Sequence, residues 1–279
     1  MNPLPLISII TVTYNAEDYL AQTIESVLAQ TYQNIEYIII DGYSTDRTIA
    51  IINNYELRIT IALKHFMWMS EKDCGIYNAM NKGIRLAHGE LIGMINASDF
   101  YEPNTVEMVV NKYSKNKDTG IFHGNVNMLN DDGSFFKLKK PNTNLEDLYK
   151  GMSLYHPTFF VAKSVYEKYG FFDLQYKIAA DFDFALRCNL AGVKFCYLDY
   201  VISNFRKGGV SSKKIKAAHQ ECKKILIQNG YPEATANAVA KEWERLRKKD
   251  NLYYWLYSIF KHFLPISLIN KIAEHSSVK

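Results

Sequence analysis

Leu91-Ile92-Gly93-Met94-Ile95-Asn96-Ala97-Ser98-Asp99-Phe100-Tyr101 is the stretch whose reading decides the fold. A short apolar run that stops abruptly at a carboxylate reads as a buried strand delivering a charge to the carboxyl edge of a sheet. Open α/β sheets hold their ligands along that edge. Asp99 could hold a divalent cation there, and the cation a diphosphate. A turn-forming Asp, ahead of the helix that opens near Pro103, is the other reading of the same residues.

Upstream, Leu6 to Thr13 is almost continuously apolar and β-branched, the pattern of a strand buried on both faces. Tyr14-Asn15-Ala16-Glu17-Asp18 leads into a helix that runs to about Gln30, with Leu20, Ile24, Val27 and Leu28 at helical spacing. A second buried strand, Tyr37 to Ile40, stops at Asp41-Gly42-Tyr43-Ser44-Thr45-Asp46, and a short helix over Thr48 to Tyr55 precedes a third strand over Thr60 to Leu63. This βαβα(β) order is the grammar of a doubly wound, nucleotide-binding sheet. Neither GxGxxG nor GxxxxGK[ST] occurs, which removes the main support for a dinucleotide dehydrogenase or a P-loop NTPase. Asp41 could accept hydrogen bonds from a base or ribose, or its loop could cap the next helix. Asp73 and Gly75 open a helix carrying Asn78, Asn81 and Lys82. The glycine suits close approach of backbone to a ligand, whereas the amides and lysine also fit a solvated face.

Downstream, Ile121 to Leu129 and Ser134 to Leu138 flank Asn130-Asp131-Asp132-Gly133, a hairpin signature. A return to antiparallel strands suggests an acceptor side. His156 to Val161 reads as a strand, Lys163 to Tyr169 as a helix, and Ala179 to Leu190 as a helix with Asp181 near its amino end, where the dipole favours a carboxylate. Plain capping is the alternative. Asp183 and Arg187, one turn apart, read as a helix-surface ion pair. A last strand, Lys194 to Ile202, leads to Arg206-Lys207-Gly208-Gly209, a basic loop able to close over phosphates or simply a solvated turn. His156 could touch a ligand or pack internally.

The chain has 279 residues and a net charge of +4, too little to argue for nucleic acid from the total. Between Lys207 and Asp250, however, eleven Lys/Arg face five Asp/Glu, so the remainder is slightly acidic. The 20 Tyr and 15 Phe favour stacking surfaces, interfaces or a membrane-facing edge. Four cysteines without CxxC spacing signal neither zinc nor a redox pair and suit a reducing compartment. The start carries no basic, apolar leader, so a cytoplasmic protein is expected. The tail is basic up to Lys249, then aromatic from Leu252 to Ile269 and interrupted by Lys261, His262 and Pro265. That argues against a membrane span; it suits either an interfacial helix on an anionic leaflet or a helix packed on protein.

Thr13-Tyr14-Asn15, the Asp41 loop, Asp73-x-Gly75-Ile-Tyr-Asn-Ala-Met-Asn81-Lys-Gly83, Asn96-Ala-Ser-Asp99-x-Tyr101, Ala180-Asp181-x-Asp183 and Phe205-Arg206-x-Gly-Gly follow one another at compatible spacing. Together they resemble inverting glycosyltransferases of family 2, with a GT-A fold, from about Ile7 to Ser212, in the branch of bacterial enzymes that build surface polysaccharides. The resemblance implies that Thr13, Tyr14, Asp41 and Asp73 hold the base and ribose of a nucleotide sugar, a UDP-sugar first. Gly75, Asn81, Ser98 and Arg206 would complete the donor side. Asp99 would hold Mn²⁺ or Mg²⁺, and Asp181 would be the general base. The expected domains are a GT-A domain over 1–212 and a basic, aromatic helical extension over 213–279. The expected acceptor is a hydroxyl of a glycan or lipid-linked molecule, at a cytoplasmic or peripheral membrane location, with oligomers possible through the C-terminal helices. Two departures matter: Ser98-Asp99 stands where the family often has Asp-Asp, and Gly42 replaces a polar residue of some relatives. They keep open a catalytically weak or inactive nucleotide-sugar binder.

Overall fold

The computed structural model describes residues 4–63, 65–206 and 214–245. The chain divides into two compact units, Met1–Glu221 and Cys222–Lys279. The expected boundary at 212/213, the Gly-Gly loop and the aromatic tail all lie outside the described residues.

In chain order the first unit runs β1 (Ile7–Thr13), α1 (Leu20–Leu28), β2 (Ile35–Asp41), α2 (Thr48–Ala62), β3 (His65–Ser70), α3 (Ile76–Leu86), β4 (Leu91–Met94), β5 (Phe100–Tyr101) and α4 (Thr105–Lys115). It continues with β6 (Ile121–Leu129), β7 (Phe135–Lys139), β8 (Phe160–Ala162), α5 (Lys163–Tyr169), α6 (Ala180–Leu190) and β9 (Phe195–Arg206), and α7 (Ile215–Gln228) begins in it. A nine-stranded sheet orders them β3-β2-β1-β4-β8-β6-β9-β5, with β7 paired to β6. β3, β2, β1 and β4 are mutually parallel, whereas β8 is antiparallel to both β4 and β6. The fold is therefore α/β with a mixed sheet, parallel through β3-β2-β1-β4 and again between β6 and β9, and antiparallel at β4–β8, β8–β6, β9–β5 and in the β6–β7 hairpin. Every residue of β1 and β2 is buried, as expected for strands covered by helices on both faces.

Three local expectations change. The third strand is not Thr60–Leu63: α2 extends to Ala62 and β3 follows at His65–Ser70. Thr48, Ile52, Ile59 and Leu63 are the buried positions, and their four-, seven- and four-residue spacing is helical. Residues 156–158 form a short 3₁₀ turn instead of a strand, and β8 starts only at Phe160. The turn is closed by Thr158 N donating to Tyr155 O and Phe159 N to His156 O. Asp183 and Arg187 do pair (Nε–Oδ2 2.7 Å), but Asp183 is buried. Arg187 donates its other groups to Tyr169 O and Phe171 O, so the pair fastens the loop before α6 instead of decorating a surface.

Much of the aromatic content is internal. Tyr166 stacks on Phe184 at 4.9 Å, and Phe172 sits 5.4 Å from both Phe184 and Tyr77. His156 joins this cluster 5.5 Å from Phe172 and is packed, the second of its two readings. Burial lowers its pKa, opposed by the nearby charge of Asp181.

Candidate active site

Parallel pairing brings Thr13, Asp41 and Ser70 into register at the carboxyl ends of β1, β2 and β3. After β4, Ile95 N donates to Ile10 O and Ala97 N to Val12 O, so the chain follows β1 almost to its end before the Asn96–Asp99 turn. The order β3-β2-β1-β4 reverses direction between β1 and β4, and ligand crevices open at such reversals. Asp99 stands there.

The loops after β1 and β2 are knitted together. Asn15 N donates to Ser44 Oγ at 2.8 Å, and Asn15 Oδ1 accepts from Thr45 N at 2.8 Å. Asp41 is saturated by its own chain: Oδ2 accepts from Tyr43 N, Ser44 N and Ser70 Oγ, and Oδ1 from Ser44 Oγ. Thr13 Oγ1, by contrast, is buried with no hydrogen-bond partner. Tyr14 stands 64% exposed beside Gly42. A Cβ on Gly42 would lie 3.2 Å from Asp73 Oδ2 and 3.4 Å from the Tyr14 ring. Tyr14, Gly42 and Asp73 thus bound one recess whose floor lacks a side chain. Asp73 Oδ1 is held by Lys82 Nζ at 2.5 Å. Gly75 has φ +119°, a conformation costly for any other residue, which starts α3 cleanly. Asn81 is buried, with its amide clamped on the Phe172 peptide in both directions (2.9 and 3.1 Å).

Asp99 is only 1% exposed. Its Oδ1 accepts from Arg206 N at 3.1 Å and, more distantly, from Ser98 Oγ at 3.4 Å. Its Oδ2 has no partner, nor has Asn96 Oδ1. Burial pushes the Asp99 carboxyl up to about 7 against the downward pull of Arg206, Ser98 and, least, the Asn96 side chain. A buried carboxylate with one orphaned oxygen suits a cation. Among the described residues no group of three or more His, Cys, Asp or Glu gathers to hold one. An ion on Asp99 would therefore take its remaining ligands from water and a bound phosphate, as Mg²⁺ and similar ions commonly do. Arg206 serves Asp99 through its backbone. Its guanidinium donates to Asp131 O and Gln22 Oε1 and lies 5.0 Å over the Tyr19 ring.

Asp181 occupies the first turn of α6 and is half-buried. Its Oδ1 accepts from its own helix at Phe182 N (2.9 Å) and from Tyr77 Oη (3.0 Å), while Oδ2 has no partner among the described residues. Tyr77 belongs to the first turns of α3, which starts just past the carboxyl end of β3. That tyrosine therefore draws Asp181 to the same edge as Thr13, Asp41 and Asp99. Nothing in the sequence distinguished Tyr77 from a core aromatic; its partner lies 104 positions away.

Residues 8–170 match the family model described as glycosyl transferase family 2. An uncharacterized glycosyltransferase of Rickettsia felis is 28% identical over 264 residues, 90% of this chain and 41% of that protein. The hyaluronan synthase of Pasteurella multocida is 29% identical over 236 residues, 82% of this chain and 23% of the synthase. The chain thus spans less than half the length of these two relatives. Among solved structures, the mannosyltransferase PcManGT of Pyrobaculum calidifontis, in complex with GDP-Man and Mn²⁺, has a TM-score of 0.64 at 17% identity, covering 99% of this chain and 81% of that one. TarS 1–349 of S. aureus, in complex with UDP-GlcNAc, has a TM-score of 0.62 at 17% identity, covering 85% and 71%. The fold is GT-A, and with the family model covering more than half of its residues, this chain belongs to glycosyl transferase family 2.

Proposed function

We propose that the protein transfers a sugar with inversion from a UDP-sugar to a hydroxyl of a glycan or lipid-linked acceptor in the building of a bacterial polysaccharide. The observation that carries this is a pair of carboxylate oxygens at one sheet edge, Asp99 Oδ2 and Asp181 Oδ2, that have no partner among the described residues. The donor nucleotide is assigned to the recess of Tyr14, Gly42 and Asp73, with Thr13 and Ser98 offering hydroxyls and Gly75 keeping the backbone low beside it. Asp41, Asn81 and Arg206 act on the donor side by shaping its walls, through the loop, the Phe172 peptide and the Asp99 carboxylate respectively.

In the reaction, an acceptor hydroxyl attacks the anomeric carbon as the nucleoside diphosphate leaves. Asp181 takes the hydroxyl proton on its free oxygen as the new bond forms, contributing roughly 10²–10⁴-fold. Tyr77 and Phe182 N fix the other oxygen, so the base presents one orientation. A divalent cation, Mn²⁺ or Mg²⁺, held by Asp99 would neutralise charge on the departing diphosphate. The UDP-GlcNAc complex of one structural neighbour and the Mn²⁺ complex of another favour this choice of donor class and ion. Among the described residues no helix is long and apolar enough to cross a membrane.

The test is a thermal-shift and calorimetric screen of UDP-GlcNAc, UDP-glucose and GDP-mannose with and without Mn²⁺, followed by NMR of the product's anomeric proton. A UDP-sugar should raise the melting temperature only with the ion, and the product should carry inverted configuration. Retention of configuration, or no response to any donor, refutes the assignment.

A further inference from the structure

Helix α6 opens on Ala179-Ala180, residues with no side chain able to cap it, and no side-chain cap is made locally. Three backbone N–H groups, those of Lys177, Ile178 and Ala179, precede its first turn. One carboxylate takes all three: Glu221 Oε1 accepts from Lys177 N at 2.8 Å, and Oε2 from Ile178 N and Ala179 N at 2.9 Å each. Glu221 lies on α7 and is the last residue of the first compact unit. It supplies from another element the acceptor that Ala179 cannot, and adds its charge to those of Asp181 and Asp183 in the first turn of α6.

The same peptide is held from its other side. Ile178 O accepts from Tyr77 Oη at 2.7 Å, and that hydroxyl is also 3.0 Å from Asp181 Oδ1. Tyr77 has one proton for two acceptors, so where the Ile178 carbonyl sits decides how much of that hydrogen bond Asp181 receives. Glu221 sets the position of the peptide and Tyr77 relays it to the carboxylate.

We propose that Glu221 is a positioning residue for Asp181, acting through the 177–179 strap and Tyr77; this rests on Asp181 being the base. Charge-assisted bonds to backbone are the strong ones, and losing them should loosen the strap without touching the donor recess. Glu221→Gln, close in shape but with fewer acceptor sites, is the main variant, and Glu221→Ala removes every acceptor.

Hydrogen exchange on the full chain, which needs no donor, should show uptake at Ile178 and Ala179 at least about fivefold faster in both variants, with the peptides around Thr13 and Asp99 unchanged. With UDP-GlcNAc and Mn²⁺ as probe, Glu221→Gln should lower kcat about tenfold and leave the KM for UDP-GlcNAc and the affinity for UDP within about twofold. In an Asp181→Asn background the same change should cost nothing further, since its target is already gone. Wild-type kcat in Glu221→Gln while Asp181→Asn is slow would overturn the positioning role alone. So would an undiminished tenfold loss in the Asp181→Asn background, or unaltered exchange at the strap. Wild-type turnover by Asp181→Asn would instead overturn the base assignment, and the positioning role with it.

Discussion

Glu36 and Asp99 are carboxylates enclosed at opposite ends of the parallel strands, 5% and 1% exposed, and the chain treats them in opposite ways. Glu36, near the amino end of β2, accepts from Ser8 Oγ and His88 N on one oxygen and meets His88 Nδ1 at 2.7 Å on the other; Ser8 Oγ in turn accepts from Gly89 N. Burial pushes its pKa up, but these donors outweigh burial and leave it below the ordinary value. Asp99, past the carboxyl end of β4, has one oxygen engaged and one bare, and burial wins. Burial is common to both, so it cannot be what marks a site. What separates them is satisfaction: a closed network holds the fold, whereas an open one is poised for a partner the chain does not supply.

The largest expected effect tests that contrast at its open end. Asp99→Asn should cut ion-supported turnover by at least about 100-fold while leaving the protein folded. The pH dependence carries the sign. A carboxyl whose folded value is raised to about 7 binds its proton more tightly folded than unfolded, so it withdraws stability as pH climbs from the usual carboxylate range through 7. Without ligand, Asp99→Asn should therefore melt no lower than wild type near about pH 8, and the gap should narrow as pH falls and close near the ordinary carboxylate value. A variant that melts lower near about pH 8 would place Asp99 with Glu36 among the structural groups.

At the closed end, Glu36→Ala strands Ser8 Oγ and His88 N and should cost roughly 2–3 kcal/mol, or about 4–12 °C in melting temperature. The kcat of the folded fraction should stay at wild type, because the network faces away from the catalytic edge. Loss of kcat with unchanged melting would erase the distinction. Gly42→Ala is smaller and local. Its methyl group would press on Asp73 Oδ2 at 3.2 Å, so the donor KM should rise several-fold with kcat and melting nearly unchanged, as steady-state kinetics would show.

His123 sharpens the comparison from the basic side. Its Nδ1 is buried and orphaned, yet Phe159, Phe195 and Tyr197 ring it, and burial lowers its pKa to about 4. An orphan atom away from the carboxyl edge is thus a cost of packing, not a site. Since the folded value lies below the unfolded one, His123 contributes stability above about 6.5 that is lost as pH falls toward 4. His123→Phe should flatten that acid limb in a melting-temperature titration by a few degrees; His156, also lowered by burial, leaves part of it in place.

By itself the sequence determined three of the four parallel strands, β1, β2 and β4, the places where they stop, and the motifs that bring Thr13, Tyr14, Asp41 and Asp99 to those stops. These are local matters: continuous apolar runs bury on both faces, and a charge or glycine ends them. It also revealed the Asp-Gly hairpin and the amino end of α6. It did not locate β3, because the β-branched residues Thr60 and Ile61 hid a helix whose periodicity shows only once Ile52, Ile59 and Leu63 are known to be buried. Nor did it say which polar groups would be saturated. Asn81 meets Phe172 across 91 positions, Tyr77 meets Asp181 across 104, and Arg206 N meets Asp99 across 107. Whether a carboxylate is closed like Glu36 or open like Asp99 depends on donors arriving from such distances. Only the folded chain could decide that, because hydrogen-bond satisfaction is a property of neighbours in space and residue type carries no record of them.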